Sequence, residues 1–376
     1  MKRLLLVVLC LLVGLGVIGT PVSASKIDPG EGTIKIGVNF PLTGPLAIFG
    51  ELNKRGVEMA IEDINKAGGI NGKKLVAVYG DNKGEAKEGV TIAQRFITQE
   101  GIKIIISTPS PVSMAIKPIT EQNKVLHLGL TIHPDLLTNT KYTIRVFPSA
   151  EQEMSTLGEY LVSHKITPIA LFVIQDEAGR GWEKALMQRI RGKINVAIRE
   201  AIQPGQTDFN TQIAKVKARK IKNIVILEYG SIPTVSLMKQ AKEAMPDVRF
   251  FGEISFLTSL VKKLPPEITN NAVFCATTVG AGKFSPQGKE FAKRYQQKFN
   301  SLPGQSECFA YDAIKVLASA MKRAKSIDVL TLKKEITKIK NFKGVSGTIS
   351  FSPNGDIKVE MIMATYKDGK VIPLPK

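Results

Sequence analysis

The sequence predicts an α/β protein with two lobes, each built on a parallel β-sheet. The stretch Thr33–Asp81 has the pattern of a strand, a helix and a second strand, which is the repeating unit of a parallel sheet. The alternation of strand and helix patterns continues to Val146 and starts again after Pro148. The chain has 376 residues, which is enough for two domains of about 100–200 residues each.

Hydrophobic spacing defines the opening unit. Thr33–Val38 is a short apolar run rich in β-branched residues, as expected of a buried strand. The following helix has apolar residues at i, i+3, i+4 and i+7, namely Val57, Ala60, Ile61 and Ile64. Glycines at positions 68 and 69 end this helix, and Asn71-Gly72 turns the chain into the strand Leu75–Tyr79.

The remaining elements follow the same alternation. The first block continues with helix Lys87–Gln99, strand Ile102–Ser107, a helix from Pro111 to Gln122, and strands Val125–Leu130 and Tyr142–Val146. The second block has helix 151–164, strand Ile169–Ile174, helix Trp182–Arg191, strand Val196–Ile202, helix Phe209–Ala218, strand Asn223–Leu227, helix Thr234–Ala244, and strands Arg249–Gly252 and Ala272–Thr278. Three helices come next, Pro286–Phe299, Cys308–Ala324 and Leu330–Ile339. Gly347–Phe351 and Ile357–Tyr366 then predict a β-hairpin with an Asn-Gly turn.

The N-terminus has the pattern of a secretory signal peptide. Lys2 and Arg3 precede the apolar run 4–18, and Val22-Ser23-Ala24 supplies small residues before a predicted cleavage site. The alternative is a membrane anchor, but the run is shorter than the ~20 residues that a membrane span needs. We therefore expect residues 1–24 to be removed and the protein to be periplasmic or otherwise extracytoplasmic.

Composition excludes several classes of protein. With 43% apolar and 23% charged residues, the chain is neither disordered nor a multispanning membrane protein. Loss of Lys2 and Arg3 with the signal peptide leaves 50 basic and 33 acidic residues, a net charge of +17. Such a charge could attract nucleic acid, a membrane surface or an anionic ligand. The basic residues are spread over predicted helices without a nucleic-acid motif, so we expect a solvated surface and no nucleic-acid partner.

The sequence offers little support for catalysis or for a cofactor. None of the three histidines, His127, His133 and His164, belongs to a zinc or hydrolase motif, and no phosphate-binding loop is present. The only G-x-G-x-x-G match lies within the predicted signal peptide. Cys275 and Cys308 could form a disulfide in an oxidising compartment, although the apolar run around Cys275 favours a buried free thiol. We expect no enzyme activity, no metal and no cofactor.

Ser110 is the residue whose position first suggests a ligand. It follows the strand Ile102–Ser107 and stands at the start of a helix, where free N–H groups, the helix dipole and a hydroxyl could hold an anion. The alternative is that Ser110 only caps the helix, and the local sequence by itself favours that alternative.

Four segments together resemble a known family. They are the opening IKIGVNFPLTGPLAIFG, the helix end AIEDINKAGGINGKKL, the YDA at Tyr311–Ala313 and the tail GTISFSPNGD. They are similar to the periplasmic branched-chain amino acid (Leu/Ile/Val) binding proteins of ABC transporters, which have the type I periplasmic binding fold. The resemblance covers essentially the whole mature chain, in order and with similar spacing.

The resemblance implies two Rossmann-like lobes joined by a hinge of three crossover strands, with the ligand enclosed between them. The crossings would fall near Arg145–Pro148, Phe274–Thr278 and Gly347–Ser350. Lobe 1 would then comprise residues 26–146 and 278–347, and lobe 2 would comprise residues 147–277 and 348–376.

The resemblance also implies a set of ligand-binding residues. Ser110 matches a serine that holds the ligand's carboxylate, and Thr131 lies in the loop that adds hydroxyl and backbone contacts to the same group. Phe49 and Tyr311 match aromatic residues of the pocket wall. Tyr229 matches a tyrosine of lobe 2, and Glu253 matches the acid that accepts the ligand's α-ammonium group. The family often has a Tyr-Gly pair where this chain has Ala178-Gly179, which predicts a wider pocket or a wall formed by Trp182.

The function implied is that of an extracytoplasmic solute-binding protein of an ABC importer. Its ligand would be a branched-chain amino acid or a related small carboxylate or amide, held by closure of the lobes, and its partner an inner-membrane permease. We expect a monomer. One alternative is a receptor or regulator with the same fold that reports ligand to a signalling partner. A second alternative is an exported enzyme.

Overall fold

A computed structural model describes residues 32–375. The predicted signal peptide therefore lies outside the described residues. Two sheets composed mainly of parallel strands carry the structure, and helices cover their faces. This is the predicted α/β class, because apolar strands that are buried on both faces require helices on each side. Among the described residues, no helix combines the length and hydrophobicity needed to cross a bilayer.

Lobe 1 is built on a five-stranded sheet with the order β2-β1-β3-β4-β5, in which every neighbouring pair is parallel. Its elements are β1 (Thr33–Phe40), α1 (Ala47–Lys66), β2 (Lys74–Asp81), α2 (Ala86–Thr98), β3 (Ile104–Ser107), α3 (Ser110–Gln122), β4 (Leu126–Gly129) and β5 (Thr143–Arg145). A 3₁₀ turn, Pro134–Leu137, lies between β4 and β5.

Lobe 2 is built on a seven-stranded sheet, five of whose strands are supplied by the middle of the chain. Its elements are α4 (Ala150–Ser163), β6 (Ile169–Ile174), α5 (Glu177–Ile190), β7 (Val196–Ile202), α6 (Asn210–Ala218), β8 (Asn223–Leu227), α7 (Ile232–Ala244), β9 (Arg249–Gly252), α8 (Ser259–Lys262), α9 (Pro266–Thr269) and β10 (Val273–Thr277). A 3₁₀ turn, Ile254–Leu257, follows β9.

The C-terminal part of the chain contributes to both lobes. Its elements are α10 (Pro286–Phe299), α11 (Gln305–Ala324), α12 (Val329–Thr337), β11 (Phe342–Lys343), β12 (Thr348–Phe351), β13 (Ile357–Lys358), β14 (Met361–Lys367) and β15 (Lys370–Pro373). Helices α10 to α12 pack into the core of lobe 1. Strands β14 and β15 extend the seven-stranded sheet, to the order β15-β14-β10-β9-β8-β6-β7, with β14 antiparallel to β10.

Each lobe has its own hydrophobic core. In lobe 1, the apolar face of α1 packs against α11, and both cover β1, β3 and β4. A smaller core lies between α2, α3 and the sheet. In lobe 2, α4, α5, α6 and α7 cover the seven-stranded sheet. The predicted helical stripe on α1 is largely confirmed, since Val57, Ala60 and Ile64 are buried and Ile61 is half-buried.

The structure differs from the sequence prediction in the tail. The run Ile357–Tyr366 was expected to form one hairpin arm, but it divides into two strands that belong to different sheets. Ile357 pairs with Phe351 and lies in the core of lobe 1, whereas Met361–Thr365 pair with β10 in lobe 2. The chain therefore passes between the sheets after Lys358, later than the predicted crossing at Gly347–Ser350. Residues 348–358 pack with lobe 1, although the sequence assigns them to lobe 2. The rest of the predicted division into lobes stays a prediction.

The start of α5 also differs from the prediction. The sequence predicts a helix from Trp182, but α5 begins five residues earlier, at Glu177. The carboxylate of Asp176 accepts a hydrogen bond from the backbone N–H of Gly179 at 2.9 Å and so caps the helix. Gly179 and Gly181 weaken the hydrophobic pattern of the first turn, which is why spacing alone places the start too late.

Candidate functional site

A cavity of about 390 Å³ lies between the two sheets. Its walls come from the carboxyl ends of the strands, the usual place for a ligand in open α/β sheets. Lobe 1 contributes the segments after β1, β3 and β4, and lobe 2 contributes the segments after β8 and β9 together with one residue of α5. Phe147 after β5, Gly280 after β10, and residues just before and in the first turn of α11 complete the lining. Four aromatic side chains face the cavity: Phe49, Phe147, Trp182 and Tyr229.

One corner of the cavity is polar and is formed by lobe 1. The hydroxyls of Ser110 and Thr131 lie 2.6 Å apart, and both side chains are almost fully buried. Ser110 is the first residue of α3, and neither it nor Pro109 makes a side-chain capping bond to the helix. The hydroxyl of Ser110 therefore points to Thr131 and is not used as a cap. With the positive end of the α3 dipole beside them, the two hydroxyls form a place that suits a carboxylate.

A buried arginine holds the loop that carries Thr131. Arg145 on β5 donates from Nη1 to the carbonyls of Thr131 and His133, at 3.2 and 2.6 Å, and from Nη2 to the carbonyl of Pro134. Its Nε donates to Asp356 at 2.7 Å. Burial raises the pKa of Asp356, while the charge of Arg145 opposes that rise. The position of Thr131 thus depends on the contact between Arg145 and Asp356, which are 211 positions apart in the sequence.

The loop after β1 and the first turn of α1 bring Phe49 to the cavity. Gly44 has a positive φ of 83°, and a Cβ on Gly50 would meet the carbonyl oxygen of Pro41 at 1.8 Å. These two constraints explain why glycine stands at both ends of the segment Gly44–Gly50. Asn53 lines the cavity one helical turn after Phe49, a position that i, i+4 spacing could have identified.

Two aromatic side chains in contact form the aromatic part of the lobe 2 wall. Trp182 and Tyr229 meet edge to face with ring centroids 5.8 Å apart, and Phe49 approaches Tyr229 at 6.5 Å. Trp182 lines the cavity and Ala178 does not, an arrangement that favours the second of the two predicted alternatives, a wall formed by Trp182. The Tyr229 hydroxyl donates to Asp176 at 2.7 Å. Burial is the main cause of the raised pKa of Tyr229.

Two predicted site residues lie outside the cavity lining. The Tyr311 hydroxyl donates to Asp63 at 2.7 Å, and Arg294 binds the same carboxylate with two hydrogen bonds. The ring of Tyr311 packs on Phe291. Tyr311 thus ties α11 to α1 and α10, and its predicted place in the pocket wall needs correction. The position of a tyrosine in a helix does not reveal which neighbouring residue its hydroxyl will hydrogen-bond.

Glu253 also lies behind the lining, because its side chain has no exposed surface. Its Oε2 accepts a hydrogen bond from the backbone N–H of Ser255 at 2.6 Å, while the following residues, Ile254 and Ser255, face the cavity. Burial, followed by the charge of Glu153, raises the pKa of Glu253 well above its usual range. The carboxylate is therefore not presented to the cavity, and its predicted role as an ammonium acceptor needs correction for this structure.

Several lining residues were not identified from the sequence. They include Thr108, Ile132, Thr258, Lys262, Gln305 and Glu307. Glu307 is buried, and its oxygens accept hydrogen bonds from the backbone N–H of Gly304 and the hydroxyl of Tyr295, both at 3.0 Å. Thr108 and Ile132 follow β3 and β4, Thr258 and Lys262 precede and end α8, and Gln305 and Glu307 begin α11. The general rule that strand ends line the site would have selected the first two.

The histidines and cysteines serve the fold in the described part of the chain. His127 is buried on β4 and its Nε2 is 2.7 Å from the hydroxyl of Ser107; burial lowers its pKa to about 3. His133 contacts Glu177 of α5 at 3.2 Å, and His164 follows the last residue of α4. Cys275 and Cys308 are both buried free thiols. Among the described residues, no cluster of His, Cys, Asp or Glu side chains could hold a metal ion.

Comparisons with known proteins agree with this geometry. The family model described as periplasmic binding protein matches residues 33–370. The leucine-, isoleucine-, valine-, threonine- and alanine-binding protein of Pseudomonas aeruginosa is 27% identical over 332 residues, which are 87% of this chain and 87% of the relative.

Two solved structures show the same fold. A leucine-binding protein of Thermotoga maritima superposes with a TM-score of 0.82 at 24% identity, over 91% of this chain and 98% of its own. A solute-binding protein of an ABC transporter from Rhodopseudomonas palustris, in complex with 3,4-dihydroxybenzoic acid, superposes with a TM-score of 0.83 at 20% identity, over 92% and 97% of the two chains.

Proposed function

Because the chain belongs to the periplasmic binding protein family, we propose that it is the extracytoplasmic solute-binding protein of an ABC importer. The protein would capture a small molecule between its lobes and deliver it to a membrane permease. Its predicted signal peptide supports an extracytoplasmic location. The relatives are solute-binding proteins, which supports binding without turnover.

The observation that carries the proposal is the combination of one polar corner, whose hydroxyls suit a carboxylate, with an aromatic cavity. Ser110 and Thr131 offer two hydroxyls at the N-terminus of α3, while Phe49, Trp182 and Tyr229 surround the rest of the space. A molecule with a carboxylate at one end and an apolar body satisfies both regions. Branched-chain amino acids and related carboxylates have this chemistry, and the relative from Pseudomonas aeruginosa is named for the former.

A specific feature favours a carboxylate whose body is larger and flatter than a leucine side chain. Trp182 and Tyr229 provide aromatic surfaces, and such surfaces pack well against another ring. Glu253 is withdrawn behind the wall, and Glu307, the carboxylate in the described lining, is buried and already accepts two hydrogen bonds, so an α-ammonium group would have to share it. The Rhodopseudomonas palustris neighbour was solved with an aromatic carboxylate.

The proposed mechanism is capture by closure. A ligand held by the Ser110 corner of lobe 1 gains contacts with Trp182 and Tyr229 only when lobe 2 lies against it, so binding favours the closed arrangement. The closed protein would then dock as a monomer on its permease, whose action releases the ligand.

A thermal-shift panel followed by calorimetry tests the proposed function. The panel contains leucine, isoleucine, valine, 3,4-dihydroxybenzoate and benzoate, with catechol as the matched ring that lacks a carboxylate. A true ligand at about 100 times its Kd should raise the free energy of unfolding by about 2.7 kcal/mol. We expect the ring carboxylates to stabilise the protein and catechol to have no effect. Stabilisation by the three amino acids alone would overturn the larger-ligand proposal. Stabilisation by catechol would remove the carboxylate requirement.

A further inference from the structure

The cavity has one charged lining residue on each lobe. Among the described residues that line it, Lys262 is the one cation and Glu307 is the one carboxylate. Lys262 is the last residue of α8 in lobe 2. Glu307 lies in the first turn of α11, which packs into the core of lobe 1. A ligand between the lobes is therefore bordered by a positive group on one side of the cleft and a negative group on the other.

The ammonium group of Lys262 has no partner in the described part of the chain. It forms neither a hydrogen bond nor an ion pair with a described residue. Although the Lys262 side chain is exposed, burial lowers its pKa, and the charge of Glu307 opposes that fall. Glu307 therefore acts on the ammonium group from beyond ion-pair distance, and both groups border the same cavity.

Glu307 retains capacity to accept hydrogen bonds. Its Oε1 accepts from the hydroxyl of Tyr295 and its Oε2 accepts from the backbone N–H of Gly304, both at 3.0 Å. Each oxygen of a carboxylate has two lone pairs, so one lone pair on each oxygen is left. A ligand group that reaches Glu307 can thus donate a hydrogen bond to it without displacing either protein donor.

The two charges discriminate among the polar groups that a ligand could place between them. A second carboxylate would accept from Lys262 but would face the negative charge of Glu307. An ammonium group would donate to Glu307 but would face the positive charge of Lys262. A hydroxyl is neutral and can accept from an ammonium group while it donates to a carboxylate. It is the smallest group that suits both residues.

We propose that Lys262 and Glu307 bind a hydroxyl group of the ligand, so that the preferred ligand is a hydroxylated carboxylate. The inference rests on the proposed function, because Ser110 and Thr131 hold the carboxylate in it. Lys262 reaches the hydroxyl only when lobe 2 lies against the ligand, so this contact adds to the preference for the closed arrangement. Lys262 is thus a specificity-determining residue of lobe 2.

Calorimetry with ring carboxylates that differ in one substituent tests the proposal. The probes are benzoate, 3-hydroxybenzoate, 4-hydroxybenzoate and terephthalate. At least one hydroxybenzoate should bind the wild type about tenfold more tightly than benzoate, because its hydroxyl gains hydrogen bonds to charged groups. Terephthalate, whose second carboxylate faces Glu307, should bind no more tightly than benzoate.

Lys262→Met removes the ammonium group and keeps most of the side-chain length. It should weaken binding of the preferred hydroxybenzoate by about tenfold and change the Kd of benzoate by less than about twofold. Because Lys262 has no described partner, the variant should unfold as the wild type does in the absence of ligand. Equal losses for benzoate and the hydroxybenzoate, or no loss for either, would overturn the proposal.

Lys263→Met is the matched control, since Lys263 is the next residue, is exposed and lies outside the described lining. It should bind all four probes as the wild type does. A loss of hydroxybenzoate affinity equal to that of Lys262→Met would show a general effect of surface charge and would also overturn the proposal.

Glu307→Gln tests the other side of the cleft. The amide oxygen can still accept a hydrogen bond, but the negative charge is lost. Terephthalate should therefore bind this variant more tightly than it binds the wild type, while the affinity for benzoate stays nearly the same. An unchanged ratio of the two affinities would overturn the role of Glu307.

The same measurements separate this inference from the proposed function. If the wild type binds benzoate and gains nothing from either hydroxyl, the present inference fails and the proposed function stands. If the wild type binds amino acids and no ring carboxylate, threonine and valine make the same comparison, because they differ by a hydroxyl in place of a methyl group. Threonine should then lose affinity in Lys262→Met and valine should not. Absence of binding by every carboxylate would overturn both proposals.

Discussion

Ser110 and Thr131 acquire a binding role only as a pair. Each hydroxyl alone would be an ordinary buried polar group. The 2.6 Å contact between them uses one hydroxyl proton and leaves the other, together with lone pairs, beside the N-terminus of α3. A carboxylate could accept this proton together with free N–H groups of the first helical turn. The pair is buried, so its interaction with a charged ligand is only weakly screened by water.

The first prediction concerns Ser110→Ala. Loss of a hydroxyl that donates to a carboxylate should cost about 1.5–3 kcal/mol of binding free energy, or roughly ten- to a hundredfold in Kd. Fold stability should change by about 1 kcal/mol or less, because the hydroxyl's described partner is the neighbouring Thr131. Isothermal titration calorimetry with 3,4-dihydroxybenzoate measures the first effect, and denaturant unfolding measures the second.

Ser113→Ala is the control for this variant, since Ser113 is a buried serine of the same helix whose hydroxyl contacts Ser107 instead of the cavity. It should bind ligand as the wild type does. Equal affinities for all three proteins would remove Ser110 from the site.

Individual residues also show how far the sequence can predict a site. Phe49, Ser110, Thr131 and Tyr229 lie in the lining, because each stands on a segment whose position is set by a neighbouring strand or helix start. Glu253 follows a strand end as well, but its side chain is fully buried and accepts from the backbone of Ser255 outside the lining. Its burial depends on how lobe 2 packs around this turn, and no local pattern contains this information.

At the scale of elements, β5 has an importance that its three residues do not suggest. Its Arg145 connects the loop after β4 with Asp356, which lies in the turn between β12 and β13. The strand thus joins the sheet of lobe 1, the polar corner of the cavity and a small third sheet formed by β11, β12 and β13. An arginine within the short predicted strand Tyr142–Val146 was an available signal, because buried arginines are rare and are almost always paired.

The second prediction is that Arg145→Met lowers the free energy of unfolding by about 3–5 kcal/mol. Methionine fills part of the space but leaves Asp356 unpaired and three loop carbonyls without their donor, and breaking one side of a buried ion pair has a cost of this size. Denaturant unfolding measures the change.

Arg199→Met provides the comparison for Arg145→Met, because Arg199 pairs with Glu183 at a more exposed position. It should cost about 1 kcal/mol or less. Similar losses in the two variants would show that the Arg145 contacts contribute no more than a surface pair.

Other elements were predicted with uneven success, for physical reasons. Strands such as β6 and β8 are continuous apolar runs, so their bounds agree with the prediction to the residue. The tail does not follow this pattern, because β13 and β14 are separated by only two residues and have similar composition. The sequence cannot show that one pairs with β12 and the other with β10, since strand pairing depends on the lobe that each strand reaches.

At the scale of the whole molecule, a few contacts join the lobes around the cavity. Asp135 of the 3₁₀ turn after β4 accepts from Lys184 of α5 at 2.9 Å, and His133 contacts Glu177 of the same helix. Phe49 meets Tyr229, and the side chain of Gln305 donates to the carbonyl of Ile254 at 3.3 Å. If the lobes separate when the cavity opens, these contacts break, so each one contributes to the preference for the closed arrangement.

The third prediction is that Lys184→Met weakens ligand binding although Lys184 does not line the cavity. The Asp135–Lys184 pair is exposed, so its contribution to closure is at most about 1 kcal/mol, which corresponds to about fivefold in Kd. The loss should appear mainly as faster dissociation, because the open protein can still receive ligand at Ser110. It should shrink as salt is raised, since mobile ions already screen the wild-type pair. Stopped-flow recording of Trp182 fluorescence gives both rate constants.

Lys215→Met is the control, because Lys215 pairs with Glu200 inside lobe 2 at similar exposure. A Kd and a dissociation rate equal to those of Lys215→Met would show that this pair does not take part in closure.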